Sequence, residues 1–206
     1  MSTRKNEILA LAGSLFAERG YTTTSMRDLA EACGVLPGSL YAHFKSKSDL
    51  VRQVVMEFFA EVIPAQQRVG AGPGSGVERF ADMIDVVFEI CARHHEAVRI
   101  LHYDWKELSE LDDLEPMREA TDQTLDLWRD VVAEGVTDGS IAPDIDPEYM
   151  VRLISAALVV MLDQSRFQMR RSPTSATLAA GHLKRLLLGA VTPSGAEALA
   201  KHLGEG

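Results

Sequence analysis

The sequence predicts an all-α protein, with a small three-helix helix-turn-helix unit at the N-terminus and a longer helical domain behind it. Three observations carry this. Apolar residues recur at helical spacing along the chain, and no stretch shows the alternation of a half-buried strand. Glycine and proline gather chiefly at Gly20, Gly34, residues 70–76 and residues 139–147, cutting the chain into helix-length pieces. Residues 24–50 compress two short helices, a glycine turn and the start of another helix into one stretch.

The elements follow in order. Residues 3–19 form a first helix that buries Ile8, Leu9, Ala12, Leu15 and Phe16 and stops at Gly20. Thr24 or Ser25 caps the second helix, with Asp28 placed to cover the orphan amides of its first turn. Gly34 suits the left-handed residue past a helix end, and Pro37 suits the first turn of the third helix, where no amide donor is needed. Met26, Leu29, Val35, Leu40 and Phe44 close a small core around the small Ala30, leaving Gly38, Ser39, Tyr41 and His43 on the other face. Ser46 caps a fourth helix with Asp49 at its third position, running through Leu50, Val54, Val55, Phe58 and Phe59 toward Gly70. Residues 70–76 are expected to be a mobile hinge or loop. Helices then span residues 77–94, 96–109 and 114–138; residues 139–146 turn; Pro147 opens a helix to about Arg170, and residues 175–191 form the last substantial one. Residues beyond Thr192 are expected to fray.

Composition excludes several classes. No apolar run is long enough to span a bilayer, and Met1-Ser2-Thr3-Arg4-Lys5-Asn6 leads into an amphipathic helix rather than a signal peptide, so the expected address is cytoplasmic with no membrane partner. Two cysteines, Cys33 and Cys91, make neither a disulfide framework nor a metal knot. The net charge is -9, but residues 1–50 hold six basic against five acidic residues, giving +1, so -10 falls on residues 51–206. An acidic body repels a polyanion, which leaves the N-terminal module as the surface able to meet nucleic acid.

Two short helices around a glycine turn present a helix to the major groove. The string Thr24-Ser25-Met26-Arg27-Asp28-Leu29-Ala30, the Gly34-Val35 turn, Gly38-Ser39-Leu40-Tyr41-Ala42-His43-Phe44 and Ser46-Lys47 resembles the DNA-binding region of the TetR family of one-component transcriptional repressors. The match covers about a quarter of the chain. Leu36 departs from it, standing where relatives often carry a Ser or Thr cap. The resemblance implies a DNA-binding domain over residues 1–47, an effector-binding and dimerisation domain over residues 48–206, and double-stranded operator DNA as partner. It implies a contact set of Thr24, Ser25, Arg27, Pro37, Gly38, Ser39, Tyr41, His43, Lys45 and Lys47. Tyr41 and Lys47 suit phosphates, and Ser39 and His43 suit base edges.

Two further sets stay open between packing and function. Phe80, Met83, Ile84, Val87, Leu101, Tyr103, Trp105, Leu125, Trp128 and Met161 are ordinary core by composition, and by resemblance the lining of an effector chamber for an apolar small molecule or acyl-CoA thioester. Leu153, Ala157, Val160 and Gln164, with His182, Arg185, Leu186 and Gly189, are internal stripes or, by resemblance, the four-helix interface of a homodimer. Arg166, Arg170 and Arg171 could meet CoA phosphates, and a solvated basic helix end accounts for them as well. No metal or cofactor is expected: His94 and His95 are adjacent, and the step to His102 is no ligand spacing. No nucleophile elbow, phosphate-cradling loop or HExxH pair occurs, so the chain is expected not to be an enzyme. The alternative is a helical small-molecule-binding protein or enzyme whose N-terminus only resembles a DNA reader.

Overall fold

This computed structural model describes residues 3–162, 180, 181, 183, 184 and 192–202, and among them every regular element is helical. The helices are α1 (Thr3–Arg19), α2 (Met26–Ala32), α3 (Pro37–Tyr41), α4 (Lys47–Gly70), α5 (Gly76–Arg93), α6 (His95–Tyr103), α7 (Trp105–Ser109), a 3-10 turn (Asp112–Leu114), α8 (Glu115–Asp138), α9 (Pro147–Leu162) and α10 (Pro193–His202). The chain divides into two compact units, Met1–Ala60 with His94–Thr121, and Glu61–Arg93 with Asp122–Gly206. The first unit extends past residue 47 because α6, distant in sequence, packs on α1.

In the first unit Ile8, Leu9, Ala12 and Phe16 of α1, Leu29 and Ala30 of α2, Leu40 of α3, and Leu50, Val51 and Val55 of α4 are buried together with Ala97 and Ile100 of α6. Removing these side chains from water is the main favourable contribution to the fold. Gly13 lets helices approach closely, since a Cβ there would stand 3.2 Å from Val54 Cγ1 and 3.6 Å from Glu96 Cβ. The run expected as one helix over residues 96–109 is broken at Asp104, whose φ of -107° and ψ of 7° leave the helical region. Its side chain serves a contact elsewhere in the unit, described below.

The second unit is built on α5, which buries Val77, Phe80, Met83, Ile84, Val87 and Phe88 and packs against α9 and α10. Residues 71–75 form the expected loop between α4 and α5, and long-range hydrogen bonds anchor the start of α5 beside it. The Gly76 N–H donates to Asp138 Oδ2 at 2.6 Å, the Val77 N–H donates to Ser140 Oγ at 3.1 Å, and the Ser75 N–H and hydroxyl both donate to Glu78 Oε2 at 2.8 Å. A Cβ at Gly76 would stand 2.3 Å from Gly135 Cα, so only glycine permits this crossing. Residues 193–202, expected to fray, form α10: Thr192 Oγ1 accepts the Gly195 N–H at 3.1 Å, and His202 meets Asp82 at 2.6 Å. Pro64 lies inside α4, where it lacks the N–H that would pair with the Ala60 carbonyl.

Candidate nucleic-acid interface

The α2–α3 element is fixed by local chemistry. Ser25 caps α2: its Oγ accepts the Asp28 N–H at 3.2 Å while Asp28 Oδ2 accepts the Ser25 N–H at 2.8 Å. The Ser25 hydroxyl, then the Ser25 amide, hold the Asp28 carboxyl below the usual carboxylate range. Gly34, at φ +64°, ends α2; its N–H reaches the Glu31 carbonyl at 3.0 Å and the Val35 N–H reaches the Ala30 carbonyl at 2.9 Å, the paired bonds of a Schellman motif. Leu36 begins α3 with no side-chain cap, as its apolar side chain requires, and Pro37 follows.

That turn displays a defined surface. Leu40 and Phe44 are fully buried, whereas Pro37, Gly38, Ser39, Tyr41, His43 and Lys45 are exposed, Tyr41 to 54%. A Cβ at Gly38 would meet nothing within 4 Å, so its missing side chain serves no internal packing. Ser25 and Arg27 are exposed on α2 and its cap. Two expected contacts sit differently. Thr24 is buried, its hydroxyl donating to the Gly20 carbonyl at 2.8 Å, because the tight α1–α2 loop needs that acceptor satisfied. Lys47 is turned inward, its Nζ donating to the Tyr21 carbonyl at 2.8 Å and lying 4.1 Å from the centroid of the Tyr21 ring.

The sequence reading missed the group on the other side of Tyr21. Asp104, buried at the α6–α7 break, accepts the Tyr21 N–H through Oδ1 at 3.0 Å. Burial pushes its carboxyl up, with the Tyr21 N–H and Lys47 pulling against it. Burial likewise lowers the Lys47 ammonium, which Asp104 opposes. Ser48 donates to Asp113, further along the same segment. The only available signal was a charged residue interrupting an amphipathic run.

The chamber residues are split between the units. Phe80, Met83, Ile84, Val87 and Trp128 are buried and Leu125 half-buried in the second unit, with the Phe80 and Trp128 rings edge to face at 5.4 Å. Leu101, Tyr103 and Trp105 belong to the first unit, where Tyr103 is 43% exposed beneath the Arg99 guanidinium. On α9, Leu153 is 68% exposed and Ala157 half-buried. The Met161 and Val160 side chains, and Gln164, Arg166, Arg170, Arg171, His182, Arg185, Leu186 and Gly189, lie outside the described residues. The three histidines face different neighbours: His94 toward Phe58, His95 toward Glu96 and His102 toward Tyr103. Among the described residues no helix is long and apolar enough to cross a membrane.

Known proteins show the same two-part pattern. Residues 8–54 match the family described as bacterial regulatory proteins, tetR family, and residues 73–162 match a tetracyclin repressor-like C-terminal domain. Over 193 residues the chain is 32% identical to the HTH-type transcriptional repressor KstR2 of Mycolicibacterium smegmatis, covering 94% of this chain and 93% of that protein. It is 33% identical over 153 residues to the repressor of the same name from Rhodococcus jostii, covering 74% and 75%. The solved structure of the ketosteroid transcriptional regulator KstR2 of Mycobacterium tuberculosis is similar at a TM-score of 0.82 and 27% identity, over 93% of this chain and 97% of that one.

Proposed function

The chain belongs to the TetR family of bacterial regulatory proteins, and on that premise we propose that it is a homodimeric, ligand-responsive transcriptional repressor, released from a palindromic operator by a hydrophobic small molecule or an acyl-CoA thioester. The observation that carries the DNA half of this reading is α3, a short helix held rigidly by buried Leu40 and Phe44 while Gly38, Ser39, Tyr41 and His43 stand exposed. Residues 1–47 read DNA in this account. Ser39 and His43 reach base edges, Tyr41 and Lys45 hold phosphates, Ser25 and Arg27 add backbone contacts at the start of α2, and Pro37 and Gly38 let the helix lie close to the groove. Thr24 and Lys47, both turned inward, position the element instead.

Residues 48–206 supply assembly and response. Leu153 and Ala157 offer an incompletely covered apolar face on α9, which a second copy covers, together with the sequence-predicted Val160, Gln164, His182, Arg185, Leu186 and Gly189. Two recognition helices one duplex turn apart then read a palindrome. Buried Phe80, Met83 and Trp128 support an apolar effector, as does the description of a relative as a ketosteroid regulator. The protein acts in the cytoplasm, where its DNA partner lies. A ligand that lowers operator affinity ~100-fold must favour the non-reading state by roughly 2.7 kcal/mol.

A mobility shift with the DNA beside its own gene tests the reading. The expected result is a retarded complex that dissolves when acyl-CoA thioesters or their free apolar acids are titrated in. Absence of any retardation at low salt favours a carrier or enzyme instead.

A further inference from the structure

Gln66 on α4 is fully buried, and among the described residues its Nε2 reaches the Thr124 carbonyl of α8, at a long 3.5 Å. A carbonyl can only accept, so the amide nitrogen must face it, which leaves Gln66 Oε1 turned away and without a hydrogen-bond partner. Thr124 repeats the anomaly. The other two threonines of α8, Thr121 and Thr137, return their hydroxyls to the carbonyls of Met117 and Ala133, one turn back, at 2.8 and 2.9 Å. Thr124 makes no such bond, and its buried Oγ1 has no partner. Two residues of facing helices, joined by one long side-chain-to-backbone bond, thus each bury an unpaired oxygen, which is costly to remove from water.

The positions one turn further along both helices face apolar neighbours, and the Arg79 guanidinium closes the Gly70 end by donating to the Gly70 carbonyl at 2.8 Å. Trp128 lies one turn beyond Thr124 on α8 and packs its ring on Phe80. Gly70 lies one turn beyond Gln66 on α4, and a Cβ there would stand 3.6 Å from Val131 Cγ2 and 3.9 Å from Met83 Cε. Helical spacing therefore sets Gln66 and Thr124 on the faces of α4 and α8 that carry these walls. Met83 is the adaptable side chain among them.

We propose that Gln66 and Thr124 form a polar subsite in the effector chamber of the second unit, one that selects a neutral apolar ligand bearing a hydroxyl group. The inference rests on the effector-binding reading above. One ligand hydroxyl satisfies both orphans, donating its proton to Gln66 Oε1 and accepting the Thr124 O–H. A ketone oxygen answers Thr124 but sets two acceptors face to face at Gln66, and a methyl answers neither. An ammonium group would lose its hydration among Phe80, Met83 and Trp128. Sites built to hydrogen-bond a substrate hydroxyl reject the analogue lacking it far more strongly than apolar walls reject a misfit.

The test is equilibrium dialysis of the full chain against 2-naphthol and 2-methylnaphthalene, a pair in which a methyl replaces the hydroxyl at nearly constant volume. The wild-type protein should bind 2-naphthol at least ~10-fold tighter. Thr124→Val, and Gln66→Met with Thr124→Val, should lose or reverse that preference while the ligand-free melting temperature holds or rises, because an unpaired polar atom has been removed. Thr124→Ser should keep the preference. Equal wild-type binding of the two probes overturns the subsite alone. Retention of the preference in the double variant, or a drop in its melting temperature, also overturns it, the latter by showing that the polar pair serves the fold. Binding of neither probe overturns the chamber itself, and the subsite with it.

Discussion

The Lys47 ammonium and the Asp104 carboxylate grip the same residue from opposite sides, Lys47 donating to the Tyr21 carbonyl and Asp104 accepting the Tyr21 N–H. Tyr21 lies in the loop that enters the helix-turn-helix, Lys47 opens α4, and Asp104 sits at the α6–α7 break. Three segments far apart in sequence thereby fix the two peptide units that flank one residue.

Breaking this grip should cost stability in a specific way. Asp104→Ala leaves the Tyr21 N–H buried without an acceptor, a loss of about 1–3 kcal/mol in denaturant unfolding, and Asp104→Asn should recover most of it. Lys47→Met keeps the stem packed on the Tyr21 ring but removes the donor. Operator affinity should fall while the slope of log affinity against log salt stays at the wild-type value, because no phosphate contact is removed. A slope shallower by about one would show that Lys47 reaches the DNA.

Acid should loosen α2 first. Asp28 is held below its ordinary value by Ser25, so its unfolded pKa exceeds its folded one. The stability it contributes is present above the unfolded value, about 3.9, and is lost as pH falls through the depressed folded value. Amide exchange of α2 should accelerate in that window, and Asp28→Asn should remove the pH dependence. An unchanged exchange profile in Asp28→Asn would contradict the assignment.

Both thiols should be inert in the native protein. Cys91 is fully buried and burial pushes its thiol up to about 12; burial also raises Cys33, with Arg4 opposing. At pH 8 a disulfide reagent should react with neither residue until denaturant is added. Rapid native labelling of Cys91 would mean that α5 opens readily.

What the sequence made legible is what local chemistry decides. Ser25 with Asp28, Gly34, and Ser46, whose Oγ accepts the Asp49 N–H at 2.9 Å, are caps and stops readable over three or four residues, and they lie as expected. The break at Asp104 was hidden because its partner, the Tyr21 amide, is 83 residues away. The anchors at the end of the 71–75 loop were hidden because Asp138 and Ser140 are 62 and 63 residues on from the amides they receive. Lys47 suited a phosphate by charge and position, but its direction is set by the Tyr21 ring and carbonyl. The α10 helix did carry a local sign, a Thr192 cap followed by Pro193 at the first helical position.

Assembly is testable at Leu153. The residue is 68% exposed, so Leu153→Glu should leave the protomer folded. Sedimentation should show a dimer for the wild type and a monomer for the variant, with specific operator binding lost in parallel. A variant that remains a DNA-competent dimer places the interface elsewhere.

The most direct test is the affinity of the wild-type chain and of His43→Ala for the duplex beside its own gene and for a scrambled duplex, by fluorescence anisotropy at physiological salt. The account predicts that the wild type binds its own duplex at least ~1000-fold tighter than the scrambled one, and that His43→Ala lowers this ratio ~10-fold or more with little change on scrambled DNA. Equal wild-type affinity for the two duplexes would contradict it.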